Sequence, residues 1–280
     1  MRFLLILLLF LPSVLLAQST IHCLVVNDKR EPLPLTNIVL LNGYAGTITN
    51  ELGEFTLSNA TTTDSVKISN IAYYSRVIAI KDLTFRDTII LSENIKLLNG
   101  VVLRNLSNYK DETTIGFFDY PINGVFQLQP GSQIAVYIAN KKGKEGWIKS
   151  VSFKVKDFGK CKNSMRVRLL KMDSLLFKPS FDIIDQQVII NSRELKKSNF
   201  IDLSAYKILL PKEGIFIVLE WLYPDHDCDK NAYTSISSNI NQPNNIVWFN
   251  FRDKAWRHEF RPRLANGNYN TPNVGLKVAY

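Results

Sequence analysis

Turn residues interrupt this chain too often for helices. From Ile21 onward its apolar stretches are short and rich in Val, Ile, Leu, Phe and Thr. Clusters of Gly, Asn, Asp and Pro separate them at intervals of about 8 to 12 residues, a spacing that belongs to sandwiches and barrels. Helical periodicity is almost absent, so the pattern predicts an all-β chain. Expected strands in the first half cover 21–26, 37–41, 46–49, 54–57, 65–69, 76–80 and 87–91. Those in the second half cover 134–138, 147–155, 165–170, 188–190, 200–203, 214–221, 246–251 and 274–278.

With 280 residues and 46% hydrophobic content there is material for one or two packed cores. The excess of 34 basic over 25 acidic residues gives a formal charge of +9 without a long basic run, which argues against nucleic-acid recognition. Residues 1–19 combine Arg2, an apolar run broken by Pro12, and the small-residue pattern at Ala17 and Ser19. That pattern reads as a cleavable signal peptide, too short in its apolar run for a spanning helix of ~20 residues. No later segment is long and apolar enough to span. Export places the protein in the periplasm, at the outer membrane or on the cell surface, where thiols meet an oxidising environment. Cys161 and Cys228 lie in polar, turn-like stretches and form the expected pair; Cys23 falls in an apolar strand pattern and is expected as a buried small hydrophobe.

Five separated motifs in the first half follow one another in a familiar order: Ile21-His-Cys-Leu-Val-Val-Asn-Asp28, Glu31-Pro-Leu-Pro34, Asn37-Ile-Val39, Gly46-Thr-Ile-Thr-Asn-Glu-Leu-Gly-Glu-Phe55 and Ile68-Ser-Asn-Ile-Ala-Tyr-Tyr74. They resemble the carboxypeptidase regulatory-like domain of exported bacterial proteins over residues 20–103. The resemblance implies a transthyretin-like β-sandwich, with Cys23 and Ala72 standing where that family usually has Gly. Asn50 to Gly53 reads as a hairpin-type turn in which Gly53 takes a positive φ and Asn50 bonds nearby backbone. Residues 104–124 are polar and read as a linker. The segment 125–280 resembles the C-terminal region of exported proteins that carry the same first domain, which implies a jelly-roll-like sandwich.

In that second half, Arg166-Val-Arg-Leu169 alternates so that Val167 and Leu169 point inward. Ile215-Phe-Ile-Val-Leu219 is apolar throughout, as expected of a central strand covered on both faces. Catalytic signatures are missing: the three His are far apart, His258-Glu259 lacks the second His of a zinc motif, and no nucleophile elbow or phosphate loop occurs. The chain therefore reads as a non-enzyme without a cofactor. An enzyme would require Glu220, Asp225, His226 and Asp227 to share a concave pocket.

Two clusters are candidate sites. Asp225, Asp227 and Asp229 match the first alternate positions of a calcium loop, but Lys230 and Ile236 occupy its Gly and closing Glu positions. A solvated acidic loop is the plainer account, and a calcium ion in another geometry the alternative. Trp248, Trp256, Arg252, Arg257 and Arg261 bring aromatic faces and guanidinium forks together, the chemistry of a glycan or anionic-polymer surface. A cross-strand aromatic pair serving only packing is the competing account. The sequence thus points to an exported envelope or surface accessory protein that binds another envelope or outer-membrane protein through sheet edges and loops. A carbohydrate-binding module of the cell envelope is the alternative.

Overall fold

A computed structural model of the protein describes residues 19–42, 45–83, 87–94, 109–159, 163–223, 234–251, 255–258 and 264–280. Strands make up nearly all the regular secondary structure of the described chain, as its turn rhythm predicts. Seven strands form the first unit: β1 (Ser19–Asn27), β2 (Asn37–Leu40), β3 (Gly46–Ile48), β4 (Glu54–Ala60), β5 (Ser65–Ser69), β6 (Arg76–Ala79) and β7 (Thr88–Leu91). They make a three-stranded sheet in the order β4-β1-β7 and a four-stranded sheet in the order β3-β2-β5-β6. β1 runs antiparallel to β4 and parallel to β7.

Alternation explains the core between these sheets. In β1, Ile21, Cys23 and Val25 point inward to meet Ile38 and Leu40 of β2, Val66 and Ile68 of β5, and Phe55 and Leu57 of β4. Cys23 is a 1%-exposed core residue. Burial pushes its thiol above the ordinary value, which keeps it in the unreactive protonated form. The turn at residues 50–53 has the expected chemistry: Asn50 Oδ1 accepts from the N–H groups of Leu52 and Glu54, and Gly53 has φ 75°.

Fourteen strands form the second unit: β8 (Glu112–Gly116), β9 (Gly124–Gln127), β10 (Ser132–Ile138), β11 (Gly146–Asp157), β12 (Met165–Asp173), β13 (Lys178–Asp182), β14 (Val188–Ile190), β15 (Ser198–Asp202), β16 (Leu209–Leu210), β17 (Ile215–Trp221), β18 (Ser235–Gln242), β19 (Val247–Phe251), β20 (Tyr269–Pro272) and β21 (Val274–Ala279). One sheet has the order β13-β12-β17-β10-β19, with β14 also on β12. The other has the order β20-β18-β11-β21-β8, with β15 and β16 on β11 and β9 on β18. Residues 112–116, expected within a linker, instead form β8, because pairing with β21 satisfies their backbone groups. β18 also goes unanticipated: Ser-Ile-Ser-Ser-Asn-Ile-Asn-Gln has no apolar alternation, yet Ser237, Ser238 and Asn239 are buried.

The central strand is β17, buried at every position. Ile215, Ile217, Leu219 and Trp221 enter the main core with Val167 and Leu169 of β12 and Phe153 of β11. Phe216 and Val218 enter a smaller cluster on the outer face of the same sheet, with Ala135, Leu170, Tyr137 and Trp248. The first unit docks on the remaining part of that outer face. Tyr223, just after β17, packs there against Gly46 of β3, where an added Cβ would lie 2.3 Å from the tyrosine ring.

Candidate functional site

Strand register assembles a charged row on the outer face. Arg166 of β12 lies opposite Glu220 of β17, and Glu220 lies opposite Gln133 of β10. Since Met165, Val167 and Leu169 point into the sandwich, Arg166 and Arg168 must point out of it. The outward direction does not mean solvent, because Arg166 is 2% exposed and Glu220 is 1% exposed. Arg166 Nη1 donates to Glu220 Oε2 at 3.0 Å, and Nη2 donates to the Leu35 carbonyl of the first unit at 2.5 Å. Asn37 of β2 donates to the second Glu220 oxygen at 2.5 Å. Each of the two charges is thus paired and hydrogen-bonded across the boundary, the condition under which buried ions are tolerated.

A second pair stands beside it. Arg168 grips Asp182 with two parallel bonds, Nε to Oδ1 at 2.8 Å and Nη2 to Oδ2 at 2.6 Å, while Nη1 donates to Gln133 Oε1 at 2.8 Å. Such bidentate geometry fixes the guanidinium plane. Gln187 continues the seam by donating to Asn70 Oδ1 at 3.0 Å and to the Pro34 carbonyl at 3.3 Å. Asn70 in turn donates to Thr36 Oγ1 at 2.6 Å.

Above this floor lies a cleft of about 250 Å³ whose walls come from both units. Lys67, Ser69, Asn70, Ala72 and Asn94 line one side, and Arg166, Arg168, Phe181 and Asp182 the other. Both arginines already hold a carboxylate, which neutralises much of their charge. The hydrogen-bonding capacity left over is specific: Arg166 Nε, a donor, and Asn94 Oδ1, an acceptor, are buried without a partner. An unmade bond at a buried polar atom costs roughly 1–3 kcal/mol, so such atoms mark places that a ligand can satisfy.

The aromatic residues singled out from the sequence take a different place. Trp248 stacks on His258 with centroids 4.5 Å apart and planes 26° apart, and it joins Trp256 against Ala135, Phe216 and Val218. The structure brings these two tryptophans together as packing on the outer sheet face. Arg257 is exposed and its backbone bridges that of Phe249. Arg252 and Arg261 lie outside the described residues, as do Asp225, Asp227, Asp229, Cys161 and Cys228. Among the described residues no group of three His, Cys, Asp or Glu could hold a metal ion. None of the helices among them is long and apolar enough to cross a membrane.

The cleft was not read from the sequence, although a signal for it existed. Glu220 is the one charge in an otherwise apolar strand expected to be covered on both faces, so it required a buried partner.

No family model matches the chain, and no curated protein matches it. Among solved structures it is similar to a crystal structure of a variant of the major pilin subunit of Bacillus cereus, with 7% identity and a TM-score of 0.21. That alignment covers 86% of this chain and 66% of the pilin's length. A likeness of that degree carries no argument here.

Proposed function

We propose that this chain is an exported, non-catalytic accessory protein of the cell envelope that binds an extended polypeptide segment of another envelope protein in the cleft between its two sandwiches. The reading rests on one observation: Arg166 and Asn94, which line the same cleft, carry a buried donor and a buried acceptor, Nε and Oδ1, without a partner. A peptide group carries the matching carbonyl and N–H. The buried Arg166–Glu220 pair and its bond from Asn37 hold the two walls in fixed relation, which lowers the ordering cost of binding. The motifs of residues 20–103 support the exported setting and the regulatory-like character of the first unit. A glycan is the alternative ligand, since a sugar hydroxyl also donates and accepts.

The test is photocrosslinking in cells, with the reactive side chain placed at Phe181 on the cleft wall and, separately, at exposed Leu52, which does not line the cleft. Identification of one envelope protein captured from position 181 and absent from position 52 is the expected result, with capture reduced at least severalfold by Asn94→Leu. Identical capture from both positions, or capture indifferent to Asn94→Leu, overturns the reading. Recovery of glycan alone favours the alternative.

A further inference from the structure

The turn that joins β12 to β13 exposes apolar side chains that no part of the described protein covers. Leu175 is 93% exposed, Leu176 60% and Phe177 39%. The turn is nevertheless well held. Asp173 Oδ1 accepts from the N–H groups of Leu175 and Leu176, and the Phe177 ring lies edge-on to Tyr137 with centroids 4.8 Å apart. Phe177 anchors the tip, and the two leucines project from it.

Cationic loops surround this end of the sandwich. Tyr137 donates its hydroxyl proton to the Glu213 carbonyl, and Asn140 Nδ2 donates to the Pro211 carbonyl at 2.9 Å, which draws the loops at 139–145 and 211–214 alongside the tip. Those loops present exposed Lys141 and Lys212, together with exposed Lys142 and Lys144, whose ammonium groups lie 4.1 and 5.8 Å from the centre of the Tyr280 ring. The hairpin itself adds Lys171, whose ammonium lies 5.2 Å from the centre of the Phe181 ring, and half-buried Lys178. The acidic residues of the same segments, Asp173, Glu145 and Glu213, are fewer, and Asp173 is engaged with the turn's own backbone.

We propose that this end of the second sandwich is a membrane-contact site: Leu175 and Leu176 enter the headgroup boundary of an anionic bilayer while the surrounding lysines sit at its phosphates. The shape selects this occupant. A stable protein interface buries about 800 Å² per partner over a broad patch, whereas a fluid bilayer closes around a small convex tip. The charge selects anionic lipid, because each Lys near such a surface adds attraction. Along β12, Arg166 stands seven residues before Asp173, so the Arg166 end of the cleft lies roughly 20–25 Å from the bilayer.

The test uses the full chain with phosphatidylcholine vesicles, with and without phosphatidylglycerol. In Leu175→Trp, the added tryptophan emission, taken as the difference from wild type, is expected to shift to the blue with phosphatidylglycerol vesicles and to be quenched by brominated acyl chains. Pure phosphatidylcholine is expected to give at most a weak shift. Leu175→Ser with Leu176→Ser is expected to lower partitioning about tenfold or more, with Tm unchanged because both side chains are already exposed. Absence of the blue shift overturns the proposal. So does partitioning indifferent to the serine pair, which would place membrane binding elsewhere on the chain.

Discussion

Ala72 lines the cleft with a left-handed φ of 67°. An L-residue in that conformation costs about 1–2 kcal/mol, and glycine returns part of the gain through about 0.4–1 kcal/mol of extra freedom in the unfolded chain. Ala72→Gly is therefore expected to raise stability by about 0.5–1 kcal/mol, seen as a Tm increase of a few degrees in thermal unfolding. The opposite sign would mean that the alanine methyl contributes packing worth more than the backbone strain. Glu220 shows how far a single residue can be read. Its place in an apolar strand announces a buried partner, and Arg166 as a cross-strand neighbour follows from register. Asn37 does not follow, because its bond to Glu220 spans two units whose docking no local pattern encodes. Removing one ion of the buried pair is expected to cost about 3–5 kcal/mol in Glu220→Ala, measured by denaturant unfolding. Arg166→Met with Glu220→Leu is expected to recover most of that loss, since no ion is then left buried alone.

Elements were legible where apolar alternation or an apolar run marked them. β5 and β14 coincide with their expected bounds, and β17 differs by one residue. β8 and β18 escaped because their residues are chiefly polar, and they are strands only because neighbours accept their backbone groups. The Trp248 and Trp256 region was legible as an aromatic pair, but its packing against Phe216 depends on which sheet face the chain returns to. At β8 a side-chain pair helps the backbone. The Lys277 ammonium beside Glu112 holds that carboxyl below its ordinary value. A depressed folded pKa contributes stability that is present above the unfolded value near 4.5 and is lost as pH falls through the folded value. Glu112→Gln is thus expected to flatten the acid limb of Tm as pH falls below about 5, by a small amount because the pair is exposed to solvent. An unchanged acid limb would show that the ion pair contributes nothing to the closure of β8 on β21.

At the scale of the whole molecule, two sandwiches with separate cores share a seam of ions and amides. That seam predicts a single calorimetric transition for the wild type and two for Glu220→Ala, because the cores remain intact when their connection fails. One broad transition in both would assign the coupling to Tyr223 and Gly46 instead.

The seam also bears on how the chain is made. Every described strand of the first sandwich lies within residues 19–91, whereas the second cannot close until β21 is available to β8. A chain that emerges N-terminus first from the export machinery therefore lets the first sandwich close before its counterpart. The surface it shows in that interval includes Asn37, Asn70 and the carbonyls of Pro34 and Leu35, groups that water satisfies as readily as Arg166 and Gln187 later do. A half-emerged molecule therefore offers little for another unfolded chain to stick to at those groups of the face it must keep open.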